Sequence, residues 1–324
     1  MRSSSIKRTL LLLLIPFACI VARPAAAATP CDRACLYKTL DRYLEALKAH
    51  DPAGAPFAPH ARTSENNVML EPGDGMWATI TGLGSYDFRF ADPKTGGVGY
   101  YGVVDESGTS SPFALRLKVK DGRITEAETV VARPQDAGVP FVNAKEEPIP
   151  ELGETLPASE RTPRFKMIAL ADGYFSTLQR NDGTLHTVFA DDCDRREDGF
   201  RTTNNPNQTI TAYMAKGCAA QFKLGIYRYD DRLRARRYML VDEEKGLVMA
   251  AGFIDHSGRL GEYRLTDGTP NTPVYRRPHS FCLLETFRIV HGKISRVEAV
   301  FTSVPYRMPS PWADAAVSSG KAHR

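Results

Sequence analysis

The chain contains the same domain sequence twice, and this internal repeat constrains its fold more than any other feature. Residues 117–130 align with residues 287–300 at an offset of 170, and residues 92–107 align with residues 242–257 at an offset of 150. Residues 57–65 align with residues 189–197 at an offset of 132. Solenoid repeats have periods of roughly 20–50 residues, so a repeat of this length predicts tandem domains. The rising offset indicates two insertions in the second copy.

The first residues have the pattern of a secretory signal. Arg2, Lys7 and Arg8 precede an apolar run over residues 10–22, and small residues follow at 25–28. This is the order of a cleavable signal peptide. The apolar run is shorter than the roughly 20 residues that a membrane span needs. The sequence therefore predicts a signal peptide over residues 1–28 and a periplasmic or secreted protein with no membrane partner after cleavage.

The charge balance argues against a nucleic-acid partner. The whole chain has 42 Lys and Arg residues against 38 Asp and Glu residues. Residues 1–28 hold four of the basic residues and no acidic one, so 38 of each sign remain after cleavage. A balanced chain lacks the basic surface that binds phosphate backbones or anionic membranes. We therefore expect a small-molecule ligand or substrate rather than a nucleic acid.

Five cysteines remain after residue 28, and an oxidising compartment would allow them to pair. Cys193 and Cys218 are the favoured disulfide, since they would close a loop of 25 residues, worth roughly 3–4 kcal/mol in the chain-entropy model. Cys31 and Cys35 lie one helical turn apart and could pair with each other, or either could pair elsewhere. Cys282 lies in an apolar strand and is expected to be a buried free thiol.

Both copies show the same predicted order of secondary structure. Apolar residues at helical spacing predict a helix over residues 36–47 and its counterpart over residues 167–178. A short strand, a glycine-punctuated helical stretch and four strands rich in β-forming residues follow in each copy. The pairs Asp121-Gly122 and His291-Gly292 are typical of two-residue hairpin turns. This order predicts an α+β fold with an antiparallel sheet in each domain.

The repeat also predicts the domain limits and how the domains pack. We expect a first domain over residues 29–134, a Pro- and Glu-rich linker over 135–162, a second domain over 163–310 and a tail over 311–324. Each leading helix covers only one face of its sheet. We therefore expect the two sheets to pack on each other as an intrachain pseudo-dimer within a monomeric chain. The candidate residues for this second face are Val119, Val131, Ile289 and Phe301.

The leading amphipathic helix, Glu65-Asn66 in the first strand and the closing hairpin around Asp121-Gly122 together resemble nuclear-transport-factor-2-like domains. This family includes the SnoaL-like cyclases and dehydratases. The resemblance covers nearly all of residues 31–310, and residues 64–67 and 73–77 are similar to uncharacterised secreted bacterial and fungal members. It implies a curled sheet wrapped on a long helix to form a cone with one pocket. It also implies dimerisation through the sheets, which the two halves can achieve within one chain.

Common cofactor and metal motifs are absent from the sequence. Residues 97–102 match G-x-G-x-x-G, but the match lies inside a predicted strand rather than between a strand and a helix. The sequence has no nucleophile elbow, P-loop or zinc-binding helix motif. The acidic run 191–194 lacks the ligand spacing of a calcium loop. We therefore expect no cofactor and no metal.

On the sequence alone, the first copy carries the better candidate pocket. Glu65 is the candidate general base, because a carboxylate buried among aromatic residues can accept a proton near neutral pH. The alternative is a structural salt bridge or a helix-cap acceptor. Polar and aromatic residues predicted to surround the cone are the candidate substrate-binding groups: Asn66, Trp77, Tyr86, Tyr101 and Arg116. For the aromatic residues, the alternative is an ordinary place in the core.

The second copy offers one further catalytic candidate. His256 stands where the first copy has Glu106. A histidine near a pocket can transfer protons at neutral pH, whereas an exposed position at the end of a strand is the alternative. Glu128 and Glu298 occur in both copies and are interpreted as structural. The basic run 232–237 is interpreted as a charged strand edge.

Two functions fit these observations. One is an exported, cofactor-independent lyase, dehydratase or isomerase that abstracts a proton from a small aromatic molecule. The other is a small-molecule carrier or accessory protein without turnover. The absence of a catalytic triad, a metal-ligand set and a nucleotide motif favours the second.

Overall fold

The computed structural model describes residues 31–136, 138–145, 148–207 and 211–313. The signal peptide predicted over residues 1–28 lies outside these ranges, as do residues 314–324 of the predicted tail. Within the described ranges, no helix is long and apolar enough to cross a membrane.

Each half of the chain forms one domain, and the elements follow the same order in both. The first domain consists of α1 (Arg33–Lys48), β1 (Phe57–Glu65), β2 (Val68–Met69), α2 (Met76–Thr79), β3 (Ile80–Asp92), β4 (Gly97–Glu106), β5 (Thr109–Lys120) and β6 (Arg123–Val131). Helix α3 (Pro150–Gly153) lies between the domains along the chain. The second domain consists of α4 (Arg164–Arg180), β7 (Phe189–Glu197), β8 (Phe200–Arg201), α5 (Cys218–Leu224), β9 (Arg232–Asp242), β10 (Leu247–His256), β11 (Tyr263–Arg264), β12 (Pro270–Asn271), β13 (His279–Val290) and β14 (Lys293–Val304).

Each domain is built on a six-stranded mixed sheet. The strand order is β2-β1-β6-β5-β4-β3 in the first domain and β8-β7-β14-β13-β10-β9 in the second. The four-strand meander is antiparallel, as predicted, whereas β1 runs parallel to β6 with Ser64 beside Glu128. The parallel pair was not predicted, because it joins strands that the whole meander separates in sequence. The predicted α+β class and the predicted tandem arrangement of two domains are confirmed.

Helix α1 forms because its sequence combines a cap with one apolar face. The Asp32 side chain accepts a hydrogen bond from the Cys35 backbone N–H at 2.8 Å, which satisfies a donor at the start of the helix. Leu36, Leu40 and Leu47 recur at helical spacing and are fully buried against the sheet. Helix α4 has the same role in the second domain and ends at Asn181, which has a left-handed backbone at φ 43°.

The closing hairpins have the turn geometry that their sequences require. Asp121 and Gly122 have φ values of 52° and 70°, and His291 and Gly292 have values of 50° and 72°. Two positive φ angles in a two-residue turn match the right-handed twist of the flanking strands. This prediction from the sequence is confirmed in both domains.

The two sheets pack on each other, so the chain is an intrachain pseudo-dimer. Apolar residues of both domains form the shared cluster: Phe88, Phe90, Tyr101 and Val130 from the first domain, and Leu240, Leu247, Met249 and Leu284 from the second. The Tyr101 hydroxyl, which is buried between the sheets, lies 3.0 Å from Thr286 Oγ1 and 3.2 Å from the Leu284 carbonyl oxygen. The interface therefore carries polar contacts as well as apolar area.

The residues expected to lie in this interface were assigned to the wrong face of the sheet. Val119 and Val131 pack in the core beneath α1, and Ile289 and Phe301 pack in the core beneath α4. Side chains alternate between the two faces of a strand. Both faces of the central strands are buried here, so the apolar pattern could not distinguish the helix side from the interface side.

A reciprocal pair of buried aspartates connects the two domains. Asp242, at the end of β9, accepts hydrogen bonds from the guanidinium of Arg33 on α1 and from the Ala91 backbone N–H at 3.2 Å. Asp92, at the end of β3, accepts hydrogen bonds from Arg164 on α4 at 2.5 Å and from the Val241 backbone N–H at 3.0 Å. Each domain therefore supplies one aspartate to the other, as expected of a two-fold interface.

Candidate active site

The second domain encloses a cavity of about 340 Å³. Ligand pockets in proteins occupy roughly 300–1,000 Å³ and combine apolar walls with a few polar groups. Aromatic rings supply much of this lining, and five Arg, Asp, Glu or His side chains belong to it. The lining includes Phe141, Tyr174, Arg195, Glu197, Gln221, Tyr227, Tyr229, Asp230, His256, Tyr275, Phe281, Glu285 and Phe301.

The two insertions of the second copy supply walls of this cavity. The first, between β8 and β9, contributes Gln221, Tyr227 and Asp230 to the lining. The second, between β10 and β13, contributes Asn271 and Tyr275, whereas residues 107–108 make a short turn at the same place in the first domain. The disulfide Cys193–Cys218 joins β7 to α5 and so anchors the first insertion to the sheet. Cys31 and Cys35 form the other disulfide, and Cys282 is a buried free thiol.

His256 and Asp230 form a buried hydrogen-bonded pair in the cavity wall. His256 Nε2 lies 2.7 Å from Asp230 Oδ1, and the two side chains are 2% and 5% exposed. Burial raises the pKa of the Asp230 carboxyl, while the adjacent His256 opposes that rise. Nδ1 of His256 is buried and has no hydrogen-bond partner within the described ranges. A carboxylate on Nε2 fixes the proton there and leaves the Nδ1 lone pair free to accept a proton.

Aromatic rings surround the His256 imidazole on several sides. The His279 ring stacks on it at a centroid distance of 4.5 Å, and Tyr229 lies nearly parallel to it at 5.9 Å. Tyr275 and Phe281 approach edge-on at 4.7 and 5.0 Å. Burial raises the pKa of both tyrosine hydroxyls, so they remain neutral hydrogen-bond donors at neutral pH. The His256 imidazole therefore lies in a largely apolar environment.

A second polar group of residues surrounds Arg195 on β7. The Arg195 guanidinium is 2% exposed and donates hydrogen bonds to the Tyr174 hydroxyl at 3.3 Å, to Gln221 Oε1 at 2.5 Å and to the Tyr227 hydroxyl. Its Nε has no partner among the residues that the structure describes. Glu197 Oε1 lies 3.9 Å from Arg195 Nη1, so one carboxylate adds to the three neutral acceptors. A buried arginine provides a positive field that can stabilise a negative oxygen.

Glu285 on β13 completes this polar group. Burial, followed by the nearby Glu197 carboxylate, raises the pKa of Glu285 to about 8. The side chain is therefore mostly protonated at neutral pH, and its O–H can donate a hydrogen bond. With Arg195, it gives the cavity two donors suited to an oxyanion.

Most site residues predicted from the sequence lie outside this cavity. Glu65 accepts hydrogen bonds from Arg133 at 2.8 Å and from the Met76 backbone N–H at 2.7 Å. Arg133 also pairs with Glu106 at 2.7 Å, which is the position aligned with His256. The cavity beside Glu65 and Trp77 measures only about 20 Å³. Glu65 as a base stays a prediction, and these contacts favour the structural alternative.

The predicted substrate-binding residues are spread over three places. The Trp77 indole N–H donates to the Tyr43 hydroxyl at 3.3 Å near Glu65, and Asn66 bonds through its side chain to the Val131 backbone. Tyr86 and Tyr101 lie in the interface between the domains. Arg116 pairs with Glu126 and Glu128 on the neighbouring strand. The structure therefore does not bring these residues into one pocket, and of the predicted catalytic residues it places His256 in the large cavity.

Sequence reasoning missed the partners of His256. Tyr229 and Asp230 lie at the end of the β8–β9 connection, which is longer than the β2–β3 connection of the first domain, and Tyr275 lies in the insertion between β10 and β13. Arg195 and Glu285 lie on shared strands, where the first copy has Thr63 and Leu115. The sequence signal for these partners was the change of offset between the two copies. That change marks the extra residues that form walls of the second-domain cavity. The described residues include no group of three or more His, Cys, Asp or Glu side chains that could hold a metal ion.

A family comparison agrees with this two-domain organisation. A family model described as "Domain of unknown function (DUF8021)" matches residues 30–131 and 160–301. The chain belongs to the DUF8021 family. Because the match resumes after the linker, the DUF8021 region of this chain has two parts, one in each domain. No curated protein sequence matches the chain.

Solved structures similar to this DUF8021 protein match about one third of it. An NTF-2 like protein of unknown function from Burkholderia xenovorans is 9% identical, with a TM-score of 0.27 over 32% of this chain and 88% of that chain. A putative polyketide cyclase from Xanthomonas campestris is 18% identical, with a TM-score of 0.25 over 30% and 90%. A steroid delta-isomerase from Pseudomonas aeruginosa is 18% identical, with a TM-score of 0.26 over 33% and 85%. The identities are too low to transfer an activity to the DUF8021 chain.

Proposed function

We propose that the second domain is a lyase, dehydratase or isomerase that abstracts a proton from a small aromatic molecule. The observation that carries the proposal is the buried His256–Asp230 pair in the wall of an aromatic-lined cavity, with Nδ1 of His256 left without a partner among the described residues. The first domain supports the second through the shared interface. The acid–base steps use side chains alone, so the reaction is proposed to need no cofactor.

The proposed reaction begins with removal of a C–H proton next to a carbonyl group. His256 Nδ1 takes the proton, and the electron pair of the broken C–H bond moves onto the carbonyl oxygen. Asp230 stabilises the resulting imidazolium, and the buried donors of the cavity, Arg195 and protonated Glu285, make its interior favourable to negative charge. The imidazolium then returns the proton to another carbon in an isomerisation, or to a departing hydroxyl in a dehydration.

The disulfides support export as part of the proposal. Both Cys31–Cys35 and Cys193–Cys218 are formed, and such bonds persist in oxidising compartments. We propose a periplasmic or secreted location for the mature protein.

Deuterium exchange tests proton abstraction before the natural substrate is known. The purified protein is incubated in D₂O with aryl ketones such as 2-tetralone, and the mass of each compound is followed. We expect incorporation of deuterium above the rate without protein. Ligand-induced thermal stabilisation without any exchange would instead support the carrier function.

Replacing Glu65 by glutamine is expected to leave this exchange rate within about twofold of the wild type. Glu65 is engaged by Arg133 and lies beside a cavity of only about 20 Å³. The measurement is the exchange rate, with circular dichroism as the check on folding. A large loss of exchange in a folded Glu65→Gln variant would return the active site to the first domain.

The exchange rate is expected to fall as the pH rises through about 8. Ionisation of Glu285 removes an O–H donor from the cavity and adds a negative charge, which disfavours a developing oxyanion in the same cavity. Glu285→Gln keeps a neutral donor, so its pH profile should be flat in this range. The measurement is the exchange rate between pH 6 and 9.5, and an unaltered fall in the variant would remove Glu285 from this role.

A further inference from the structure

The linker between the domains supplies part of the cavity wall. Pro140 and Phe141 follow the first domain along the chain, yet they line the cavity of the second. The Asn143 backbone N–H donates to the Asp198 carbonyl oxygen at 2.9 Å, which holds this segment on the second domain. The centroid of the Phe141 ring lies 5.4 Å from that of Phe200 and 6.1 Å from that of Phe301. The second-domain cavity is therefore completed by residues outside that domain.

Phe141 stands at the end of an aromatic wall that begins at His256. Phe281 packs edge-on against the His256 ring at 5.0 Å, and Phe301 packs against Phe281 at 4.7 Å. Phe141 then packs edge-on against Phe301. A ligand that reaches from the His256 imidazole to Phe141 must pass two intervening rings. Three successive ring contacts thus link the His256 imidazole to Phe141.

We infer that Phe141 sets the length of ligand that the cavity prefers, and that the ligand is an extended aromatic molecule of at least two rings with a polar group at the His256 end. The inference rests on the proposed ligand site. Phe141 contributes contact area only to the distal ring of such a ligand, since the polar group is bound elsewhere. Buried aromatic contacts dominate the affinity of apolar pockets, so this position selects for size.

Trp312 provides a matched control for this role. The segment after β14 crosses to the first domain, where the Trp312 indole N–H donates to Ser64 Oγ at 3.0 Å. The guanidinium groups of Arg62 and Arg116 lie 4.6 and 5.1 Å from the centroid of its ring. Both Phe141 and Trp312 are thus aromatic residues on segments that cross between domains. Trp312 is not among the residues that line the second-domain cavity.

Calorimetric titration with phenol and 4-phenylphenol tests the inference on the full mature chain. The wild type should bind 4-phenylphenol at least about tenfold more tightly than phenol. Phe141→Ala should raise the Kd of 4-phenylphenol by about tenfold and change that of phenol by less than about twofold. Trp312→Ala should change neither Kd. Phe141→Leu keeps an apolar side chain, so it should raise the Kd of 4-phenylphenol by a smaller factor and leave that of phenol unchanged. It replaces the alanine variant in this test if that variant does not fold.

Three results would overturn the inference. They are a wild type with no preference for the longer ligand, equal weakening of both ligands by the Phe141 variants, and no effect of those variants on either ligand. Binding needs no turnover, so the result is separable from the proposed reaction. If proton exchange fails while the length selection holds, the cavity is a carrier site with Phe141 as its size determinant.

Discussion

Replacing His256 by glutamine is expected to lower the rate of enzyme-dependent proton exchange by about 10²–10⁴-fold, the usual contribution of a positioned general base. The glutamine amide can still donate to Asp230 in place of Nε2–H, so the buried carboxylate keeps a partner. What is lost is the basic Nδ1, which has no other partner among the described residues. The measurement is the exchange rate of the best compound in the D₂O assay, at saturating ligand.

His60→Gln is the matched control, because His60 is exposed on β1 of the first domain. It should leave the rate unchanged. Ligand binding by His256→Gln should persist, since the aromatic walls and Arg195 remain. A folded His256→Gln variant that exchanges protons at the wild-type rate would exclude His256 as the base.

Replacing Asp242 by alanine is expected to lower the free energy of unfolding by about 2–5 kcal/mol, the usual cost of truncating one member of a buried hydrogen-bonded charge pair. The Asp242 side chain is fully buried, and it accepts bonds from Arg33 and from backbone N–H groups of Ala91 and Lys245. Its removal leaves donors of both domains without their acceptor. Urea unfolding followed by intrinsic fluorescence measures the loss, and Asp92→Ala should behave similarly because its contacts are the reciprocal ones.

Asp87→Ala tests whether the burial of Asp242 is the reason for the loss of stability expected in Asp242→Ala. Asp87 also pairs with an arginine, Arg89, but its side chain is 44% exposed and its ion pair is shared with solvent. Exposed ion pairs contribute up to about 1 kcal/mol, so this variant should lose no more than that. Equal losses for Asp87→Ala and Asp242→Ala would show that the interface aspartates contribute no more than surface pairs.

The local elements of this fold could be predicted because their signals are local. The apolar spacing of Leu36 to Leu47 and the Asp-Gly and His-Gly turns depend on neighbouring residues, and the structure contains the helix and both hairpins. The parallel pairing of β1 with β6 has no such signal. No local signal showed which face of the sheet Val119 and Val131 occupy, since both faces of the central strands are apolar.

The candidate site was harder to predict because it depends on what the two copies do not share. Comparison of the copies pointed to the carboxylate that occurs in both, as Glu65 and as Glu197. Positions that both copies share are those that maintain the common fold. Glu65 is held by Arg133, whereas the groups around His256 come from the insertions and from single replacements such as Arg195 for Thr63. His256 itself was found because it interrupts an otherwise matching segment.

The inequality of the two cavities, about 340 Å³ against about 20 Å³, changes how such a molecule can evolve. In a symmetric homodimer one gene encodes both pockets, so each substitution alters them together. Covalent fusion removes this linkage between the copies. The first domain can accumulate changes that favour rigidity, such as the Arg133 ion pairs, without closing the pocket of the second. The second can carry buried polar groups without partners, whose destabilising effect the first domain offsets through the shared interface.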